Sequence, residues 1–308
     1  METPWPWHFV TLSEEEKLHR RELLDIRGAF AQWSIMIVIV LLRVIYQTQK
    51  TLSEMQSGAK TTRGPVSWLD RPLVAGWLET RRQYAVCGLW LSWLVGLCVW
   101  NSGDVLVNSS LPPADYLHLT KALGHVALSQ IPLQVLMSPA AYISTSKPSA
   151  SSIFSFITSV PQSTVTPYHR LFGRMVISPL IFGHASLYLL FFVQNSHPEF
   201  GTLLAKRVYD FDVQCGLLAL STAVALLLFV RPRGTTQKGA ARDRAAAARS
   251  VQDRRRTFYL VHVSLVVLLS VAVYFHVAQA QKYMVQSFGA FVLNGVGSWV
   301  AIRLEARV

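Results

Sequence analysis

Apolar stretches of about twenty residues alternate along this chain with short connections that carry most of its charge. A helix rises about 1.5 Å per residue, so roughly 20 apolar residues cross the hydrocarbon of a bilayer. Seven spans are expected on that basis, at 29–46, 85–103, 117–138, 169–194, 212–230, 257–279 and 284–302. The predicted fold class is an all-α polytopic membrane helix bundle. Pro132 and Pro179 fall inside the third and fourth spans, where each removes a backbone donor, so a kink or bulge is expected at both. Ahead of the first span, Ser13 and Glu16 have capping-box spacing, which predicts a helix that starts near Glu14 and runs into the span. The first residues lack the charged start, apolar core and small-residue cleavage site of a signal peptide, so this segment is expected to stay on the mature chain.

Composition agrees: 51% of residues are hydrophobic and 15% charged, with the apolar residues gathered into blocks. The formal charge of +12 invites a nucleic-acid reading, but the basic residues belong to particular connections. Residues 231–256 hold nine Lys or Arg against Asp243 and Asp253, and residues 50–82 hold six against three acids. Both connections fall on one side of a seven-span topology, and the positive-inside rule makes that side cytosolic. The expectation is therefore an extracytosolic segment over 1–28, an additional N-terminal span over 29–46, a basic cytosolic loop over 231–256 and a cytosolic C-terminus. That loop has a possible helix and faces anionic lipid or a partner, with no nucleic acid involved. Asn108-Ser109-Ser110 is a glycosylation sequon on the expected outer side, and Arg43 can snorkel to the inner one. These features suit a plasma, secretory-pathway or vacuolar membrane. Cys87, Cys98 and Cys215 show no paired spacing and read as packing residues.

Four histidines inside apolar stretches stand out: His169 and His184 in the fourth span, His262 and His276 in the sixth. A buried imidazole is costly in lipid, so two per helix imply that the helices hold something between them. Neutral imidazoles from facing helices can fill both axial positions of a haem in a bundle core. His262 and His276 are fourteen residues apart, roughly 21 Å along a helix and nearly on one face. Both spans run outward from the cytosol, which puts His169 level with His262 and His184 level with His276. Four unrelated buried histidines, or a metal-ion pathway, remain as alternatives. His125, alone in the third span, reads as a hydrogen-bonded interior histidine.

The run TSVPQSTVTPYHRLFGR with its following interior histidine, FYLVHVSLVVLLSVAVYFH, and GHVALSQIPLQVLMSP resemble the ferric reductase-like transmembrane domain of fungal metalloreductases and NADPH oxidases. The resemblance covers about 84–303 and implies a core of six helices. It implies His169, His184, His262 and His276 as axial ligands of two b-type haems, with Arg170 and Arg174 placed to pair with haem propionates. It also implies electron flow from cytosolic NADPH through FAD to the inner haem, then to the outer haem and an external acceptor. Two departures matter. His169 to His184 is fifteen residues, which rotates the second ligand by about 100° unless a wide turn between Met175 and Gly183 absorbs one residue. The chain is also expected to contain no FAD or NADPH site.

The expected function is transmembrane electron transfer, a metalloreductase-like oxidoreductase activity that needs a partner flavoprotein. A cytosolic flavin reductase or a quinol would supply electrons, and a ferric or cupric chelate would accept them. A degenerate or scaffold member that binds haem incompletely is the alternative, and a metal-ion transporter is another. Asp104, Asp115, His118, His197, Asp210 and Asp212 are conceivable ligands for an external chelate, although solvated loop polarity is the better account of them. Lys206, Arg207 and Lys282 can neutralise outer propionates or an anionic chelate.

Overall fold

Ser13 forms a reciprocal cap: its hydroxyl accepts from the Glu16 N–H at 3.3 Å, and its own N–H donates to the Glu16 carboxylate at 2.7 Å. The bond from the Ser13 backbone, then that from its hydroxyl, hold the Glu16 carboxyl below its ordinary value. The cap is therefore complete at neutral pH and weakens as pH falls through the carboxylate range. From this cap α1 runs unbroken over Glu14–Met55. The structure is a computed structural model that describes residues 7–8, 13–55, 67–73, 79–100, 114–139, 151–229 and 244–305. The expected 29–46 span is thus the middle of a longer helix that also contains most of 13–28.

A second capping box, Thr80 with Gln83, starts α2 at Arg81–Val99. The third expected span is two helices, α3 (Tyr116–Ser129) and α4 (Ile131–Leu136). Pro132 has no N–H for the Leu128 carbonyl, so the helix stops at Ser129 and restarts beyond Gln130. The link to the fourth span carries α5 (Ile153–Thr158) and then α6 (Gln162–Phe172). A π turn over Gly173–Ile177 joins α6 to α7 (Ser178–Gln194) without a break. A two-residue hairpin, β3 (Ser196–His197) with β4 (Gly201–Thr202), and α8 (Leu203–Arg207) lead into α9 (Phe211–Phe229). Helix α10 (Arg244–His276) and α11 (Gln281–Glu305) complete the bundle. Residues 7–8 form β1, paired in parallel with β2 at 114–115.

Among the described residues, five helical stretches are long and apolar enough to cross a membrane: Glu14–Glu54, Arg81–Val99, Gln162–Gln194, Phe211–Leu228 and Arg256–His276. The other two expected spans are the broken α3–α4 unit and α11, which at 25 residues is also long enough. The chain is thus an all-α polytopic membrane bundle. The possible helix in the basic loop begins at Arg244 as the foot of α10, whereas residues 230–243 and the Asn108 sequon lie outside the described residues.

Helix α3 is the centre of the bundle, buried on nearly every side and packed against α7, α1 and α2. Helix α10 packs mainly along α9, and α11 along α4. Cys87, Cys98 and Cys215 are buried and free, as packing residues would be. The seam between α1 and α3 is polar. Buried Arg27 reaches the His118 ring at 2.7 Å and donates to the Trp100 carbonyl at 2.5 Å. His118 is therefore an interior partner of α1, not an outer-loop residue, because a buried guanidinium needs acceptors. His125 is the hydrogen-bonded interior histidine expected, with Nε2 2.8 Å from the Tyr283 hydroxyl and 3.3 Å from Asp25. Lys282 closes this group on Asp25 at 2.5 Å.

Gly28 lets α1 approach that group, since a Cβ there would collide with the Tyr283 hydroxyl and lie 3.0 Å from His125 Nε2. Gly28→Val should lower stability by about 1–3 kcal/mol, the cost of overpacking a filled contact. Thermal unfolding of the purified protein in detergent measures this, and an unchanged midpoint would show that α1 does not dock tightly here.

Candidate functional site

An imidazole in a membrane has two nitrogens to satisfy, and this bundle satisfies one of them with backbone. His169, in the last turn of α6, donates from Nδ1 to the Gln134 carbonyl at 2.9 Å. His184 on α7 does the same to Thr120 at 2.8 Å, and His276 at the end of α10 to Asp212 at 2.7 Å. A carbonyl can only accept, so the proton sits on Nδ1 and Nε2 keeps its lone pair. His262, halfway along α10, is different: its Nδ1 is buried with no hydrogen-bond partner among the described residues. Its ring lies flat on Phe258, one turn earlier, at 5.7 Å and 10°.

Two of these carbonyls are inside helices, where the side chain four residues on leans back over them. Both of those residues are glycine. A Cβ on Gly124 would lie 2.7 Å from His184 Nδ1, and one on Gly216 2.7 Å from His276 Cε1. The third carbonyl, on Gln134, is near the end of α4 and needs no such clearance. Gln134 also donates from its side chain to the His169 carbonyl at 2.8 Å.

The four rings meet as two pairs. His169 faces His262 with ring centres 6.4 Å apart and planes at 78°, and His184 faces His276 at 6.4 Å and 79°. A direct hydrogen bond between imidazoles would put the centres about 5 Å apart. Two imidazoles sharing one metal at about 2 Å per bond stand roughly 6.3 Å apart. The separation therefore fits a metal held between each pair. Each pair offers only two protein ligands, and among the described residues no group of three His, Cys, Asp or Glu can hold a metal ion. A bare ion needs more, whereas a metal in a macrocycle needs two axial ligands. The residues present fit haem.

The π turn brings His184 into place. Fifteen residues of regular helix would leave it about 60° past four full turns from His169. At Gly173–Ile177 the Ser178 N–H reaches back five residues to the Gly173 carbonyl, and its hydroxyl donates to the same oxygen at 2.7 Å. This absorbs the extra residue. The cause is Pro179, whose ring would clash with the Met175 carbonyl of a regular helix. The wide turn begins two residues before the expected Met175–Gly183 window.

Arg170 and Arg174 lie beside the His169 level and share one carboxylate, that of buried Glu79, at 3.6 and 3.8 Å. At the other end, Arg207 pairs with Asp210, and with Asp212 at 2.9 Å, while Lys206 is 3.4 Å from Asp210. These pairs fix the turn into α9, whose Asp212 carbonyl holds His276. They also engage Asp210, Asp212, Lys206 and Arg207, while Lys282 is paired with Asp25. Sequence reasoning missed Gln134, Thr120, Asp212, Gly124, Gly216, Phe258 and Glu79 as parts of the site. Carbonyl acceptors have no residue signature, but a glycine in an apolar span did carry a signal.

The chain is thus a transmembrane helix bundle with two facing histidine pairs set at two levels along its helices. Residues 123–273, just under half of the chain, match the family described as ferric reductase like transmembrane component. The match includes His169, His184 and His262 and ends three residues before His276. No individual curated protein and no solved structure matches the chain.

Gly124→Ala and Gly216→Ala should each push a histidine ring off its carbonyl and cost about 1–3 kcal/mol. Gly88→Ala and Gly289→Ala, where an added Cβ meets nothing within 4 Å, should be neutral. Thermal unfolding of the four variants side by side checks this contrast.

Proposed function

We propose that the protein carries electrons across its membrane through two bis-histidine b-type haems, from a cytosolic flavin reductase to an external acceptor such as a ferric or cupric chelate. The observation that carries this reading is the matched pair of ring separations, each 6.4 Å, on helices whose family is ferric reductase-like. Haem bound at each pair supplies a one-electron carrier. His169 and His262 form the inner site, and His184 and His276 the outer. Continuous α10 separates the levels by roughly 21 Å, at about 1.5 Å per residue.

The chain's residues hold and orient these sites. Backbone carbonyls fix three ring orientations and leave Nε2 as the ligand atom. Arg170 and Arg174, positioned by Glu79, present guanidinium groups to propionates at the inner level. The basic connections give the orientation, with the N-terminus outside and the C-terminus cytosolic. The redox unit spans 84–303, with the 29–46 part of α1 as an additional helix. A plasma, secretory-pathway or vacuolar membrane suits this topology. The π turn removes the register fault that favoured a degenerate scaffold, and the two-ligand pairs disfavour a bare-metal pathway.

Purified protein should contain two haems per chain with a low-spin bis-imidazole spectrum in the reduced-minus-oxidised difference. His184→Leu or His276→Leu should remove one haem equivalent while the other stays low-spin. Haem quantitation giving none, or high-spin iron only, would sink the reading. The rings are nearly perpendicular, which leaves the iron dπ orbitals close in energy. The oxidised protein should therefore give a strongly axial low-spin electron paramagnetic resonance signal, and a rhombic signal typical of parallel rings would contradict the geometry.

A further inference from the structure

The two pairs share ring spacing and ring angle and differ in the hydrogen bonding of their ligands. This inference rests on the two-haem reading above. Both outer imidazoles donate Nδ1–H to a carbonyl, at 2.8 and 2.7 Å. At the inner level only His169 does so, while the Nδ1 of His262 is buried with no partner among the described residues and its ring is backed by the apolar face of Phe258. The other buried side-chain atom without a partner among the described residues, Gln134 Oε1, belongs to the residue whose carbonyl holds His169. Hydrogen bonding is therefore complete around the outer pair and incomplete around the inner one.

We propose that this difference orders the two sites, so that the inner haem has the higher midpoint potential and His262 is the residue that sets it there. A carbonyl that accepts Nδ1–H pushes electron density onto the imidazole and through it onto the metal, which favours the oxidised state. An imidazole without that acceptor donates less, and the reduced state gains. Flanking charge is net positive at both levels, so it moves both sites in the same direction. The inner level has Arg170 and Arg174 against Glu79, and the outer has Lys206, Arg207 and exposed Lys121 against Asp210 and Asp212. Cations exceed carboxylates at both levels, and Arg27 on His118 adds a further cation beside the outer one.

Electrons arriving from the cytosol then collect at the inner site. Each electron moves outward singly, oxidising the inner iron and reducing the outer one, with no bond made or broken. That transfer is uphill and is drawn forward only as an external acceptor removes the electron, so the relay holds charge on the donor side when no acceptor is present.

Spectroelectrochemical titration of the purified full chain with both haems loaded tests this. Two separate reduction waves are expected. His276→Leu, which removes the outer haem, should leave the wave at higher potential, and His169→Leu should leave the lower one. Glu79→Gln keeps every ligand and serves if those variants fold poorly. It removes a negative charge near the inner site and should raise the higher wave while leaving the lower in place. A reversed order, coincident waves, or a Glu79→Gln shift confined to the lower wave would overturn the inference. Fewer than two haems per chain in the unsubstituted protein would instead overturn the function on which it rests, and this inference with it. Two haems titrating in the wrong order would overturn this inference alone.

Discussion

An imidazole cannot leave either nitrogen unpaired in hydrocarbon without cost, and much of this bundle follows from meeting that condition at three of its four paired histidines. One nitrogen of His169, His184 and His276 goes to a backbone carbonyl, which fixes the ring and turns the other nitrogen toward its partner. Carbonyls within a helix are normally covered by the side chain four residues later. The bundle therefore needs a glycine at that place or a helix end, and it uses both: Gly124, Gly216 and the end of α4. The break at Pro132 thus contributes to the site, because it ends α3 and lets α4 place the Gln134 carbonyl against His169.

The same logic links the two prolines. Pro132 stops one helix and Pro179 widens another, and each defect satisfies a geometric need of a histidine. A regular helix through Pro179 would keep its hydrogen-bond ladder poorly and turn His184 away from His276. The π turn relieves the proline clash and corrects the register together, so one local irregularity serves both backbone chemistry and the facing of His184 on His276. Ser178 stabilises it by placing two donors on the Gly173 carbonyl.

Features with a period or a residue signature were legible in the sequence. The spans follow from apolar blocks, the start of α1 from Ser13 and Glu16, the broken third span from Pro132, and the need for a wide turn from the fifteen-residue spacing. The pairing of His169 with His262, and His184 with His276, followed from parallel helices and matched spacing, and the structure brings those rings together. Contacts between backbone and side chain across distant segments were not legible. Nothing in the residue types of Thr120 or Asp212 marks their carbonyls as acceptors. Glu79 sits in a connection that reads as solvent-exposed, yet it is buried because two arginines of the α6–α7 helix turn toward it. His118 read as a loop residue because Arg27, its partner, is 91 residues away.

Helix α3 connects the site to the part of the chain before the family segment. One of its faces carries Thr120 and Gly124, which hold His184, and the roughly opposite face carries His118 and His125, which hold α1 and α11. A helix is stiff over the seven residues between His118 and His125, so the two faces move together. The polar contacts of Arg27, Asp25 and Tyr283 therefore do more than attach an extra helix. They fix the height and rotation of α3, and with it the carbonyl that orients the outer histidine. Apolar packing alone would let α1 slide and rotate in the bilayer plane, because lipid tails compete equally for an apolar face. Directional bonds from a buried guanidinium do not slide, which accounts for a charge within this polar seam.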